Sequence, residues 1–299
     1  MLRKIYIFFL MFVGCCGSAA ADHRILVFQS FSVAPYDEAL AGFKSVCDAE
    51  ITTVVLSDQG KISPSQIIRA NKPDLILAIG MNALTTIKDI EDIPIIYMMV
   101  LNPQAITFGE KNISGISMTL SPEKQLATLR EVLPAAKRVG MLYNPDRNGN
   151  FLKRAVKAAT NTGITLVTEK IQSPKEVPSA LQNMWNKMDV FWMIPDITVY
   201  SPETIEFVLL FLLENHMPIV SFSEKYVELG ALISIGIDPF DIGNQAGEMA
   251  KTIFSNNRKN NNTQRIDARK AVVLINLKIA KKLGITFDEK VLKKAKVLN

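Results

Sequence analysis

A set of side chains stands just past the ends of apolar, β-branched runs. They are Ser30, Phe31 and Tyr36; Gly80, Met81 and Asn82; Asn102; Asn144 and Asp146; Asp196 and Thr198; Phe222 and Ser223; and Asp238. Their chemistry is that of recognition. Asn82 and Asn144 both donate and accept hydrogen bonds. Asp196 and Asp238 can pair with an ammonium through a charge-assisted hydrogen bond. Each can instead cap a following helix, Asp196 the one near Ser201 and Asp238 the one near Phe240. Gly80 permits close approach to the backbone, and the N–H groups opening the next helix suit a carboxylate. Phe31, Tyr36, Phe222 and Tyr226 offer flat faces that sandwich an apolar or planar ligand, or pack as ordinary core.

The residues that catalysis needs are sparse. The histidines are His23 and His216, and neither has a partner at the H-E-x-x-H spacing of a metal site. There is no G-x-S-x-G elbow, no phosphate-binding loop and no G-x-G-x-x-G. Asp146 and Asp196 could serve as an acid–base pair, as in glycosidases, but nothing in the sequence favours that over binding. No cofactor and no metal are expected.

The elements that would position these residues are legible. Strands are expected at 24–29, 51–56, 74–79, 94–100, 138–143, 164–170, 188–194, 217–222 and 231–237. Helices are expected near 36–47, 64–71, 82–90, 122–133, 150–162, 174–184, 202–215 and 240–256. Near-continuous apolar strands alternating with helices indicate parallel sheets covered on both faces, with right-handed crossovers. Ser63-Pro64, Ser121-Pro122, Ser173-Pro174 and Ser201-Pro202 each place Ser at an N-cap and Pro at the first helical position. Gln66 and Glu176 complete capping boxes. The first four strand–helix units end near Val100, a looser stretch follows from Asn102 to Ser117, and four more units begin at Ser121. Two α/β arrays of similar size imply two lobes. In open parallel sheets ligands bind beyond the carboxyl ends of the strands, which selects the residues named at the outset. The Asn-rich stretch 255–264 reads as a surface loop.

The first residues indicate export. Arg3 and Lys4 precede an apolar run from Ile5 to Val13, and small residues follow up to Ala19-Ala20-Ala21. This is a secretory signal peptide over 1–21, too short for a membrane span of about 20 apolar residues. Phe12-Val13-Gly14-Cys15 resembles a lipobox, so acylation of Cys15 stands as the alternative to cleavage after Ala21. Either way the mature chain is periplasmic or otherwise extracytoplasmic. Beyond Ala21 only Cys47 remains, so no internal disulfide can form. Taking the two charges of Arg3 and Lys4 from the formal +5 leaves +3, much of it in Lys281, Lys282, Lys290, Lys293, Lys294 and Lys296. These lysines read as a solvated helix face. There is no dense basic stripe for nucleic acid.

Several stretches resemble one family: Ala39-x-x-Gly42-Phe43, Asn112-Ile-Ser-Gly115-Ile-Ser117, Leu133-Pro134-x-x-Lys137-Arg138-Val139-Gly140-x-Leu142-Tyr143-Asn144-Pro145, Pro195-Asp196-x-Thr198, Gly230-Ala231-Leu232 and Gly236-Ile237-Asp238-x-x-x-x-Gly243. In this order they are similar to ABC-transporter substrate-binding proteins of the type I periplasmic-binding fold, in the branch of tryptophan- and tyrosine-binding lipoproteins. The resemblance implies two Rossmann-like lobes joined by a three-strand hinge, with crossings near Ser117–Ser121, Asp238–Ile242 and Ala268–Val272. Lobe one would be 22–119 plus 239–268, and lobe two 120–238 plus 269–299. It further implies a monomer, peripheral to the inner membrane, that closes over a small polar solute and delivers it to ABC permease and ATPase subunits. A sensor docking on a membrane receptor is the alternative. The chain departs from the family at Ile197, where relatives often carry Asn, at Asn102, where they often carry Asp, and at Gly80-Met81-Asn82, which replaces small and hydroxyl residues.

Overall fold

The computed structural model describes residues 23–58, 63–101, 103, 106–107, 110–255 and 263–299. The expected signal peptide, Cys15 and Asn102 lie outside the described residues. The chain opens with β1 (Arg24–Gln29), α1 (Ala34–Val46), β2 (Glu50–Val55), α2 (Pro64–Asn71), β3 (Leu75–Ile79), α3 (Met81–Ile87), β4 (Ile95–Val100) and β5 (Ile113–Leu120). It continues through α4 (Pro122–Val132), β6 (Arg138–Tyr143), α5 (Pro145–Thr162), β7 (Thr165–Lys170), α6 (Val177–Met184), β8 (Val190–Trp192), α7 (Ile205–Glu214), β9 (Ile219–Ser221), α8 (Glu224–Glu228) and β10 (Ile233–Ile237). It ends with α9 (Pro239–Ser255), β11 (Arg265–Ala268), β12 (Ala271–Asn276), α10 (Leu277–Leu283), α11 (Glu289–Lys294) and β13 (Lys296–Leu298).

Two sheets result. One has the order β11-β5-β4-β3-β1-β2 and is parallel throughout. The other has the order β13-β12-β10-β9-β8-β6-β7; β12 runs antiparallel to β10, and the β10-to-β7 part is parallel. Every residue of β3 and β4 is buried, as helices on both faces require. The fold is therefore the two-lobed α/β architecture of type I periplasmic binding proteins.

The connections fix how the lobes face. β5 ends at Leu120 and the chain enters lobe two at Ser121. β10 ends at Ile237 and the chain returns to lobe one as α9. β11 ends at Ala268, and Arg269 and Lys270 lead to β12, which starts opposite the last residue of β10. All three crossings leave or enter at strand carboxyl ends. The carboxyl ends of the two sheets must then look toward each other.

Within lobe one, α9 lies against α1 at backbone distance. A Cβ at Gly243 would overlap the Ala39 carbonyl oxygen, and one at Gly42 would overlap the carbonyl of Phe240. Glycine is required at both for this approach, and Ala39 and Ala246 on the same faces are fully buried.

Four strands were not anticipated: β5, β11, β12 and β13. The helix expected at 150–162 begins at Pro145, because the Asn144 side chain accepts from the Asp146 N–H at 2.9 Å and caps it there. The Ser121 cap forms, with Lys124 N–H donating to its hydroxyl at 3.2 Å. Ser63 and Ser173 precede helical turns without using their hydroxyls as caps. Glu176 accepts from the Gln172 N–H, one residue before its expected partner. At Ser201-Pro202 the chain forms a turn and α7 starts only at Ile205, the Thr204 hydroxyl accepting from the Ser201 N–H.

Gly243→Ala is expected to lower unfolding stability by roughly 1–3 kcal/mol or more, through overpacking against backbone that cannot yield. Gly149→Ala, inside α5 with open space where its Cβ would point, is expected to raise stability by about 0.5–1 kcal/mol. Urea unfolding of both variants checks the pair.

Candidate functional site

On the lobe-one side, Ser30 is buried and its hydroxyl accepts the Ala83 N–H at 2.9 Å. One of the N–H groups expected to be free for a carboxylate at the start of α3 is thus already satisfied. Gly80 has φ 89°, a conformation that favours glycine. A Cβ there would also sit 2.7 Å from both the Ser30 and the Tyr36 hydroxyl. Ser30, Tyr36 and Gly80 therefore form one packed corner, and burial pushes the Tyr36 phenol above its ordinary value. Met81 is half-buried and Asn82 exposed on the first turn of α3. Phe31 is 47 % exposed, while its carbonyl accepts from the Gln29 side chain, which also donates to Asp37. Just past β4, Leu101 is 63 % exposed.

On the lobe-two side the organising group is Asp196, which is 4 % exposed. Its Oδ2 accepts from the Asn144 N–H at 2.7 Å and from Asn148 Nδ2 at 2.8 Å. Its Oδ1 accepts from the Thr198 N–H at 2.9 Å. Asn144 Nδ2 donates to Thr198 Oγ1 at 3.3 Å. The carboxylate expected either to meet an ammonium or to cap the helix near Ser201 instead ties the loop after β6 to the loop after β8. Thr204, not Asp196, precedes α7. Asn148 falls within the strand-end stretch 146–150 expected to hold site residues, and its place one helical turn after Asn144 is the signal that marks it as the Asp196 partner. Asp146 is exposed. Ile197 projects from this braced loop with 70 % of its surface exposed.

Phe222 is half-buried, with its ring 5.2 Å from Tyr226 edge-to-face and 6.3 Å from Tyr200. Ser223 precedes α8, and its carbonyl accepts from the Ser221 hydroxyl. These aromatics pack on the lobe-two core on the α6–α8 side. Burial drives the Tyr200 phenol well above its usual range.

Asp238 belongs to the hinge. It caps α9 by accepting the Asp241 N–H at 3.1 Å and pairs with Lys270 Nζ at 2.7 Å. Burial alone would raise its carboxyl, but Lys270 and the N–H groups of Asp241 and Phe240 hold it below the ordinary value. Of the two readings of Asp238, capping is the one that the geometry displays.

Among the described residues, no group of three His, Cys, Asp or Glu side chains could hold a metal, and no helix is long and apolar enough to cross a membrane. A hollow of about 200 Å³ between Arg24, Glu50, Thr52 and Asn71 lies at the amino ends of β1 and β2, away from the facing loops.

Two braced loop sets that face each other across three crossings are the arrangement of a two-lobed binding protein. Residues 52–298 match the model of the family described as ABC transporter substrate binding protein. The chain belongs to this substrate-binding family. It is 30 % identical over 190 residues to the tyrosine-binding protein of Clostridioides difficile, covering 60 % of this chain and 54 % of the relative. It is 26 % identical over 189 residues to an uncharacterised protein of Rickettsia prowazekii, covering 62 % and 59 %. The chain thus spans little more than half the length of these curated relatives. Among solved structures, it is 25 % identical to a Streptococcus pneumoniae ABC domain in complex with L-Trp, with a TM-score of 0.56, covering 92 % of this chain and 99 % of that one. A ligand-free, open substrate-binding protein from Clostridium difficile superposes with a TM-score of 0.68 at 24 % identity, covering 93 % and 99 %, and supports the fold. Members of this family are extracytoplasmic substrate-binding proteins.

Asp196→Ala is expected to lower the stability of the solute-free protein by about 2 kcal/mol or more, since a buried donor left unpaired costs roughly 1–3 kcal/mol. Asp196→Asn should fall between Ala and wild type. Chemical denaturation decides the matter: unchanged stability in Asp196→Ala would return this residue to the role of a free ligand contact.

Proposed function

We propose that this chain is the extracytoplasmic solute-binding component of an ABC importer, and that it takes up a small polar solute, with an amino acid as the first candidate. Export uses the leader at 1–21. The mature protein works as a monomer at the periphery of the inner membrane and hands its solute to permease and ATPase subunits. Lobe one comprises 22–119 plus 239–268, and lobe two comprises 120–238 plus 269–299. The observation that carries the reading is the set of facing strand-end loops, held by Ser30 and Gly80 on one side and by Asp196 and Asn144 on the other, in a chain of this family.

Binding would be a hinge closure. Contacts from both lobes favour the closed arrangement by more than its intrinsic cost. Polar recognition falls to groups with spare capacity: Asn82, Asp146, Thr198 and Ser223, with Asn144 holding their loop in place. Phe31, Leu101 and Ile197 are exposed apolar side chains at the ends of β1, β4 and β8. They support a solute that is polar at one end and apolar at the other, which aromatic amino acids satisfy. The relatives named for tyrosine and bound to L-Trp put those two compounds at the head of the panel.

A thermal-shift screen of the exported protein against the common amino acids tests this. Stabilisation should grow as RT ln(1 + [L]/Kd), about 2.7 kcal/mol at a hundredfold excess over Kd. The recovered solute should be chemically unchanged. Turnover of a hit would replace the binding reading with an enzymatic one, and no hit in a wider metabolite panel would remove the solute-binding role.

A further inference from the structure

Arg154, on α5 of lobe two, holds Glu123 at the start of α4 through two hydrogen bonds of 3.2 and 2.9 Å. The same guanidinium donates to Asp267 Oδ2 at 3.0 Å. Asp267 lies on β11, in the sheet of lobe one. Both ends are anchored in their own lobes. The Asp267 carbonyl accepts from Gln245, a buried residue of α9, and Gln245 also accepts the Arg269 N–H. Other charged pairs near the hinge stay within the crossings or α9: Lys270 with Asp238, and Arg269 with Asp241 and Glu248. Among the described residues, Arg154–Asp267 is the ion pair that joins the body of one lobe to the sheet of the other.

In the arrangement where this pair exists, Phe31, Leu101 and Ile197 at the facing strand ends are about half or more exposed, as an open cleft requires. We propose that Arg154 and Asp267 form an electrostatic latch that favours the open arrangement and must break for the lobes to close. The inference rests on the hinge-closure reading above but does not require the solute to be known. The chemistry suits a latch. Both partners are well exposed, at 50 % and 37 % of their side-chain surface, so water solvates the separated charges and the pair holds only weakly. A weak, reversible restraint biases the lobes without locking them. Rotation about the three crossings would displace two rigidly anchored groups relative to each other and pull them beyond ion-pair range.

The test measures the distance between the lobes directly. Spin labels are placed on cysteines at exposed Thr86 and Glu203, on opposite lobes and away from the pair; Cys47 is buried. Arg154→Gln and Asp267→Asn should each raise the short-distance population of the solute-free protein about two- to fivefold, the factor expected of an exposed ion pair. The double variant should shift no further than either single one. High salt should produce the same shift in the parent protein, by screening the pair. A distribution unmoved in both variants, a shift in one variant alone, or a parent protein already dominated by the short distance would each overturn the latch. The thermal-shift screen does not depend on this pair, so loss of the latch leaves the solute-binding reading standing, and absence of any solute leaves the distance measurement intact.

Discussion

A parallel strand buried on both faces can be entered and left only at its ends, and this constraint organises the whole molecule. Each sheet must send its polar loops to one edge, because the helices occupy the faces. β5, β10 and β11 then carry the chain out of their sheets at carboxyl ends. Three exits at the same edge hold the two carboxyl edges toward each other. Loops that in one lobe would form a shallow rim become two rims of one cleft. The location of binding chemistry follows from burial and connectivity before any individual side chain is considered.

Within that frame, most of the buried polar capacity builds the loops and is not left open. Ser30 holds the first turn of α3, Gln29 holds the loop of Phe31, and Asp196 collects three donors from two loops. A buried carboxylate in this position is stable because both of its oxygens accept hydrogen bonds. The consequence is rigidity. Side chains such as Ile197 and Thr198 project from a backbone held by these bonds, and a pre-ordered loop leaves less order to be imposed on binding. That the most buried acid of the site is structural also shifts recognition toward the exposed amides and hydroxyls around it.

Much of this was legible in the sequence, for identifiable reasons. β1, β3, β4 and β6 are unbroken apolar runs, and their ends could be placed to within a residue or so. Their carboxyl ends located the loops. β5 was obscured because Ser114, Gly115 and Ser117 break its apolar run, and it is held by β4 on one side and by β11, some 150 residues later, on the other. β11 and β13 are short and largely exposed, so hydrophobic pattern does not mark them. The role of Asp196 was hidden for a related reason. Its decisive partner is the N–H of Asn144, 52 residues away, and no local spacing reports a bond of that range. Asn144-Pro145 carried the same cap-then-proline signal as the Ser-Pro pairs, and reading it alike would have started α5 in the right place.

The hinge joins two stiff lobes in one short chain through three crossings. Lobe one is stiff where α9 meets α1, since glycines bring the two backbones together and leave no side chain to yield. α9 therefore moves with lobe one, although it enters from lobe two through Asp238. The junction adds a charged surface to that packing. Asp238, Arg269 and Lys270 line it with partly exposed ion pairs, while one buried apolar cluster runs from Ile116 and Leu120 of β5, in the sheet of lobe one, to Leu126 and Ile235 of lobe two. Such ion pairs are weak, whereas interdigitated apolar packing resists displacement at every contact. Any change in the angle between the lobes must slide this shared apolar layer as well as re-pair the surface charges, so the apolar layer sets most of the resistance at the hinge.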